Sequence, residues 1–406
     1  MLRPVSRQVR ALGFSHSKPA GIGRRMSDDS YLYSKEARVF PKLKTGDKLG
    51  PGNRYRILKG DPLRWFTKYS LWLAHDEQED KCVIVEAVKS TSIGSFEFAA
   101  YKCLSSRPPA IGFESTHCMH LLDKFKHFKR EEVGNHYCLV SDLMGGNIKI
   151  IQKNWPHIPL QPVKRILLHV LRGIPHMHSC GVVHTDINPD NILFDAGRLD
   201  IDSIVRDPYP VVYLEDIMNV SYFLSDFVNA QCISNLGEAN EFTDEDYRPP
   251  EIILQGPWNE KVDIWAFGCL TRISSANRKN NRSSISLYLR NSFSTQFIRR
   301  TASIKMRAIC GKYNVLRVKV LEQNSLEQVQ IQGCTSVAIR DVDRLRNNPC
   351  SGKETFTECL KSYNVLKQRD VDVTAALLER CLRVNPEDRP TAEELLKDPF
   401  WEDMDM

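Results

Sequence analysis

The chain has 406 residues, 42% hydrophobic and 26% charged, so it can bury a sizeable core and is not disordered throughout. Its formal net charge of +6 is unevenly spread: residues 1–27 carry six Lys and Arg and no acid, residues 271–349 carry fifteen against four acids, and the remainder is net acidic. That pattern excludes a whole-chain nucleic-acid footprint, and no window approaches the roughly 18–20 uncharged apolar residues of a membrane-spanning helix. The twelve cysteines include no Cys-x-x-Cys pair, which suits free thiols in a reducing compartment rather than zinc ligation or a secreted disulfide framework.

In chain order, Leu2, Val5, Val9 and Leu12 fall at helical spacing with Arg3, Arg7 and Arg10 on another face. This acid-free start reads equally as a mitochondrial transit peptide or as a basic tail. The localisation expected is intracellular, cytoplasmic or nuclear, with mitochondrial targeting open. From Gly46 the texture turns to β, with strands predicted at 55–58, 70–75 and 81–88, a helix at 96–104, a strand at 137–140 and a turn at 144–146. Past Pro159 the period changes. Val163, Ile166, Leu167, Val170, Leu171, Ile174 and Met177 form a core-facing helical stripe that Gly181 ends. A small β-rich lobe before a larger helical one is an α+β layout.

After that helix comes His184-Thr185-Asp186-Ile187-Asn188-Pro189-Asp190-Asn191, set between Val182-Val183 and Ile192-Leu193-Phe194. An Asp and an Asn five residues apart on a loop between short apolar strands suit phosphoryl transfer. The Asp can orient and deprotonate a hydroxyl, and the amide oxygen of the Asn suits magnesium, a hard cation.

This string resembles the catalytic loop of eukaryotic-type protein kinases. Further on, Ser225-Asp226-Phe227-Val228 resembles the Asp-Phe-Gly segment, and Arg248-Pro249-Pro250-Glu251 the Ala-Pro-Glu segment. Asp263-Ile264-Trp265-Ala266-Phe267-Gly268 resembles the start of the large lobe's central helix, and 385–392 the closing signature, whose Arg389 would pair with Glu251. The Thr of His-Thr-Asp, the Tyr247-Arg248-Pro249-Pro250-Glu251 string and the 34 residues between Asn191 and Asp226 are similar to the fungal-type SR-protein kinase-like group.

The resemblance implies a bilobal protein-kinase-like fold and a serine/threonine protein kinase that uses ATP and Mg2+. Asp186 would be the base, and Asn191 and Asp226 the metal ligands. Lys89 with Glu97 would form the phosphate clamp. Backbone groups of Asp142 and Met144 would meet adenine, and Asn188 would lie near the γ-phosphate. The partner implied is a protein substrate rich in Arg and Ser, met by a monomer with no direct nucleic-acid or membrane contact. The division expected is a basic tail at 1–45, a small lobe at 46–145, the catalytic part of the large lobe at 146–270, a basic atypical insert at 271–352, and the end of the large lobe at 353–406.

Several residues depart from the pattern. The glycines that let a hairpin approach phosphates fall on Arg64 and Phe66. Ala87-Val88-Lys89 fits the strand lysine locally, whereas spacing favours Glu86; Lys89 is chosen because a carboxylate cannot hold phosphate oxygens. Asn188 stands where the family has Lys, and Val228 where it has Gly. Residues 271–352 match no part of the fold and read as a basic insert or as frame-shifted sequence; Arg299-Arg300-Thr301-Ala302-Ser303 within them resembles a basophilic phosphorylation site. Two further readings therefore stand beside the enzyme: a pseudokinase that binds without transferring, and a chain whose large lobe folds incompletely.

Overall fold

The computed structural model describes residues 41–66, 69–88, 96–109, 115–127, 136–155, 158–196, 214–236, 247–253, 256–271, 355–362 and 366–404. The basic N-terminal segment, the strand-end Lys89, the stretch 272–354 and its phosphorylation-like string lie outside the described residues, as does the side chain of Glu97.

Alternating apolar residues build the first sheet. Its strands are β1 (Lys48–Leu49), β2 (Tyr55–Ile57), β3 (Arg64–Trp65), β4 (Tyr69–Asp76) and β5 (Lys81–Val88). After helix α1 (Phe96–Ser105) come β6 (Asp123–His127) and β7 (His136–Asp142). The order is β1-β2-β4-β5-β7-β6, antiparallel throughout, with β3 forming a hairpin on β4. The two-residue period sends Val83, Val85 and Ala87 into a core shared with Tyr55, Ile57, Trp72, Phe125 and Val140. Ile84, Glu86 and Val88 take the opposite face.

The expected turn at 144–146 is instead strand β8 (Met144–Asn147). A Gly-Gly pair signals a turn, but here its backbone pairs with a later strand, β10 (Ile192–Asp195). Gly146 has φ +137, and a Cβ on it would run into the end of the Ile150 side chain. Helix α2 (Ile148–Asn154) follows, and then α3 (Leu160–Ser179), whose predicted stripe is buried along its whole length. Gly181 ends α3 with φ +75. The short strands β9 (Val182–Val183), β10, β11 (Tyr222–Leu224) and β12 (Gln231–Cys232) come next, with helix α4 (Leu214–Asn219) before β11. Helices α5 (Pro250–Ile253), α6 (Lys261–Leu270), α7 (Phe356–Ser362), α8 (Gln368–Cys381) and α9 (Ala392–Leu395) complete the helical lobe.

The second core gathers α3, α6, α8, Phe400 and Trp401, and also takes in Ala100, Tyr101 and Leu104 of α1 with Leu139 of β7. Helix α1 thus ties the sheet to the helical part. The segments on either side of 272–354 pack together: a Cβ on Gly268 of α6 would stand 2.7 Å from the Cβ of Cys381 in α8. Lys164 of α3 pairs with Asp403 and lies over the Phe400 ring, docking the C-terminal turn. This is the expected α+β, bilobal arrangement. Among the described residues eight cysteines, Cys82 to Cys269 and Cys381, are free thiols, and no helix is long and apolar enough to cross a membrane.

Candidate active site

Strand β9 pairs with β12, setting Val183 opposite Gln231, so the loop that starts at His184 is tied to the segment after Asp226. Asp263, fully buried near the start of α6, accepts the backbone N–H groups of His184 and Thr185, each at 2.9 Å, and contacts His178 Nε2 at 2.9 Å. Thr185 has φ +69, a conformation that β-branched residues rarely adopt. The bonds to Asp263 hold it there, together with its own hydroxyl, which donates to the carbonyl of Asn229 at 2.8 Å.

That bend presents the next residue, Asp186, to three amides. Asn188 Nδ2 donates to Oδ1 at 3.0 Å, and Asn191 Nδ2 and Asn229 Nδ2 each reach Oδ2 at 3.4 Å. The same Asn188 and Asn191 amides also donate to the Asp186 carbonyl, at 3.1 and 2.9 Å. Asn188 Oδ1 accepts the Asp190 N–H at 2.8 Å. The residue that replaces the family's Lys is therefore an internal brace of the loop.

Strand β10 pairs with β11, setting Ile192 opposite Leu224, and so carries Asn191 alongside Ser225. The backbone N–H and the hydroxyl of Ser225 both donate to the Asn191 carbonyl, at 2.9 and 3.0 Å, and His184 Nε2 meets the Ser225 carbonyl at 2.9 Å. Asp226 comes next in the left-handed region, at φ +62 and ψ +70, and caps the turn Phe227–Asn229. The positive φ of this bend thus belongs to Asp226, whose short polar side chain tolerates it, and Val228 has none to accommodate. Burial pushes the Asp226 carboxyl above its ordinary range, and the nearby Asp186 charge pushes the same way against the pull of His184. Phe227 is fully buried, with its ring 5.1 Å from those of both Tyr101 and His184.

Asn191 spends its amide hydrogens on Asp186, which leaves Oδ1 for another partner. With the Asp226 carboxylate it forms a pair of hard-oxygen donors, a set that fits Mg2+ completed by phosphate oxygens and water. Among the described residues no three of His, Cys, Asp and Glu gather into a complete metal cage, so such an ion would need oxygens from a nucleotide.

The residues expected to meet adenine, Asp142 and Met144, lie at the seam of two sheets. Asp142 ends β7 opposite Val83, and its carboxylate takes Lys81 Nζ at 2.9 Å. Met144 opens β8 opposite Asp195. Asp190 is held by Asn147 Nδ2 at 3.2 Å and by Lys149. Of the phosphate clamp, Lys89 and the Glu97 side chain fall outside the described residues. The competing position, Glu86, sits in β5 opposite Leu71 and Leu139, on the face away from the Val83-Val85-Ala87 core.

The structure adds two residues that the sequence did not mark, Asn229 and Tyr69, and makes Asp263, known from its motif, the anchor of the loop. Phe66 N–H donates to the Tyr69 carbonyl at 2.8 Å, the two rings stack 4.5 Å apart, and the Tyr69 hydroxyl donates to Asp226 Oδ2 at 3.3 Å. Asn229 lies two residues past Phe227, within reach of a closer reading of that motif. Tyr69 left no local signal.

Far from the cleft, Arg389 makes a buried bidentate pair with Glu251, at 2.6 and 2.7 Å. It also donates to the carbonyls of Arg383, Lys261 and Val384, so all five of its N–H groups are used, and the guanidinium lies over the Trp265 ring. The pairing that the resemblance implied is present.

The family model described as "Protein kinase domain" matches residues 113–401. The chain is similar to the serine/threonine-protein kinase SRPK of Physarum polycephalum, with 29% identity over 54% of this chain and 59% of that protein. It is similar also to the serine/threonine-protein kinase prp4 of Schizosaccharomyces pombe, with 24% identity over 70% of this chain and 54% of that one. Human SRSF protein kinase 3 matches at 31% identity over 38% of this chain and 27% of its own length. The chain thus spans little more than half the length of the first two relatives. A crystallised kinase domain superposes with a TM-score of 0.58 over 90% of this chain and 99% of its own, at 19% identity, which speaks for the fold. With its catalytic-loop string, its Asp226 bend and its Glu251–Arg389 tie set in that fold, the chain belongs to the protein kinase family and resembles that family's SR-protein kinase-like members.

Proposed function

We propose that the chain is an active serine/threonine kinase that transfers the γ-phosphoryl of Mg·ATP to a hydroxyl of a protein substrate. The observation that carries this reading is the convergence of the Asn188, Asn191 and Asn229 amides on Asp186, with Asp226 beside them. Bound Mg·ATP would supply the phosphoryl group and the charge that neutralises its oxygens. Asp186, fixed in orientation by three donors, accepts the proton of the attacking hydroxyl and aligns its oxygen. Asn191 Oδ1 and the Asp226 carboxylate hold the divalent ion. Asn188 offers a dipole where the family has a full positive charge, which lowers transition-state stabilisation but leaves the base in place. The SR-kinase resemblance points to Arg/Ser-rich protein substrates.

A second reading, a binding module without transfer, draws on the small lobe. Arg64 and Phe66 replace bare backbone, Glu86 stands at the alternative lysine position, and a tyrosine hydroxyl already occupies Asp226. ATP turnover by the purified chain beside Asp186→Asn decides between them. The expected result is a loss of at least a hundredfold in the variant, the usual scale for general-base removal. Equal rates overturn the kinase reading, and magnesium-dependent thermal stabilisation by ATP without turnover selects the binding module.

A further inference from the structure

Tyr69 opens β4 at the turn end of the β3–β4 hairpin, and its side chain is almost fully buried. Its ring is fixed by the stack on Phe66, and Arg64 in turn lies over Phe66 with 6.0 Å between guanidinium and ring centre. The hydroxyl reaches across to the helical lobe, to a carboxylate 157 positions away in sequence. Both oxygens of that carboxylate are engaged: Val228 N–H on Oδ1 at 3.4 Å and the Tyr69 hydroxyl on Oδ2 at 3.3 Å. A hydroxyl proton aimed at Oδ2 takes one of the lone pairs that a cation could use, and its partial positive charge opposes a cation on the same oxygen.

We propose that Tyr69 is a latch on Asp226 which a divalent cation must displace, so that nucleotide binding through magnesium is held back by the chain's own hairpin. The inference rests on Asp226 being a metal ligand, as in the kinase reading above. The latch also gives a physical sense to the lost glycines. An aromatic hairpin that cannot cradle phosphates packs down on the metal carboxylate instead.

The test measures ATP binding by calorimetry, with magnesium and with the metal chelated, on the full chain. Tyr69→Phe keeps the ring stack and removes only the hydroxyl. Tyr55→Phe is the matched control, since the Tyr55 hydroxyl donates to Asp123 at 2.7 Å within the small lobe. The expected result is magnesium-dependent binding about tenfold tighter in Tyr69→Phe, the scale of one hydrogen bond to a charged group. Metal-free binding stays unchanged and Tyr55→Phe behaves as wild type. Asp226→Asn abolishes the difference between the tyrosine and phenylalanine forms. Magnesium-dependent binding by Tyr69→Phe that is equal to or weaker than wild type overturns the latch alone. Absence of magnesium-dependent binding in every form overturns both the latch and the nucleotide reading beneath it.

Discussion

The loop at 184–191 and the hairpin at 64–69 meet at Asp226 but are held by different physics. The loop is fixed by directional bonds: Asp263 anchors its entry, Asn188 and Asn191 brace Asp186, and Ser225 fastens its exit to β11. The hairpin has its backbone ladder, but its side chains are held by ring contacts, Phe66 on Tyr69 and Trp65 edge-on to Trp72 at 6.2 Å, with one hydroxyl crossing to the other lobe. Hydrogen-bond networks fix positions to fractions of an ångström, whereas aromatic packing fills volume and tolerates changes in its members. A chain can therefore keep the bonded loop of its helical lobe while the hairpin that faces it is rebuilt. That contrast separates chemistry from binding, and it can be strained from either side.

The strongest way to break it is at the base of the helical lobe. Arg389→Ala leaves Glu251 buried and without its partner, and frees three carbonyls besides. Removing one member of such a pair costs about 3–5 kcal/mol, a large share of the stability of any domain. Urea denaturation of the variant is expected to show that loss, while Tyr69→Phe unfolds close to wild type. A variant as stable as wild type would show that the helical lobe does not depend on this tie, and the contrast between the two regions would lose its base.

A smaller effect comes with acid. His117 and His169 face each other behind β11 with ring centres 4.2 Å apart, and both bond to the Tyr222 backbone. Burial pulls His117 down to about 4, and Arg172 and Arg165 add to this against the Tyr222 carbonyl. Burial lowers His169 further still. A histidine depressed in the folded state lets the unfolded chain take the proton first. Its contribution to stability is intact above pH 6.5 and falls as the pH drops toward 4. For His117 alone the loss between pH 6.5 and 5 is about 1–2 kcal/mol. Denaturation at the two pH values should show a shallower fall in His117→Gln than in wild type; parallel falls would remove the buried pair as the cause.

How legible these regions were follows from sequence distance. Two of the three braces of Asp186 run two and five residues along the chain, so a string of eight letters carries them; the third, Asn229, lies 43 residues on. The α3 stripe was legible because twenty residues repeat one period. Strands of two or three residues, such as β3, β9 and β12, are too short to show a period, and they are the ones that position the loop and the hairpin. The Gly145-Gly146 pair suggested a turn because nothing nearby announces β10 as its partner. The Glu251–Arg389 tie was legible only through the family resemblance. The Tyr69–Asp226 contact has no local pattern and no counterpart in the motif, so only folding reveals it.

The mildest prediction sharpens the comparison from the small-lobe side. Arg54 bridges β2 to the end of β4, with Nε and Nη2 on the two oxygens of Asp76 at 2.8 and 2.6 Å. Asp76 is buried, and its carboxyl is held below the usual range first by Arg54 and then by the N–H groups of Gln78 and Glu79. Like Glu251–Arg389 this pair is bidentate, through Nε and Nη2 rather than through both Nη atoms, yet the Arg54 side chain is 22% exposed and that of Arg389 is wholly buried. Water can replace part of what Arg54 supplies, and two amides still serve Asp76 after its removal. Arg54→Ala is expected to cost about 1.5 kcal/mol by urea denaturation, at the low end for hydrogen bonds to a charged group. It should leave magnesium-dependent ATP binding unchanged, because the pair lies at the far end of β4 from Tyr69. A cost equal to that of Arg389→Ala would mean that the small lobe too is held by a single polar tie, and that the rebuilt hairpin is not the product of a more tolerant lobe.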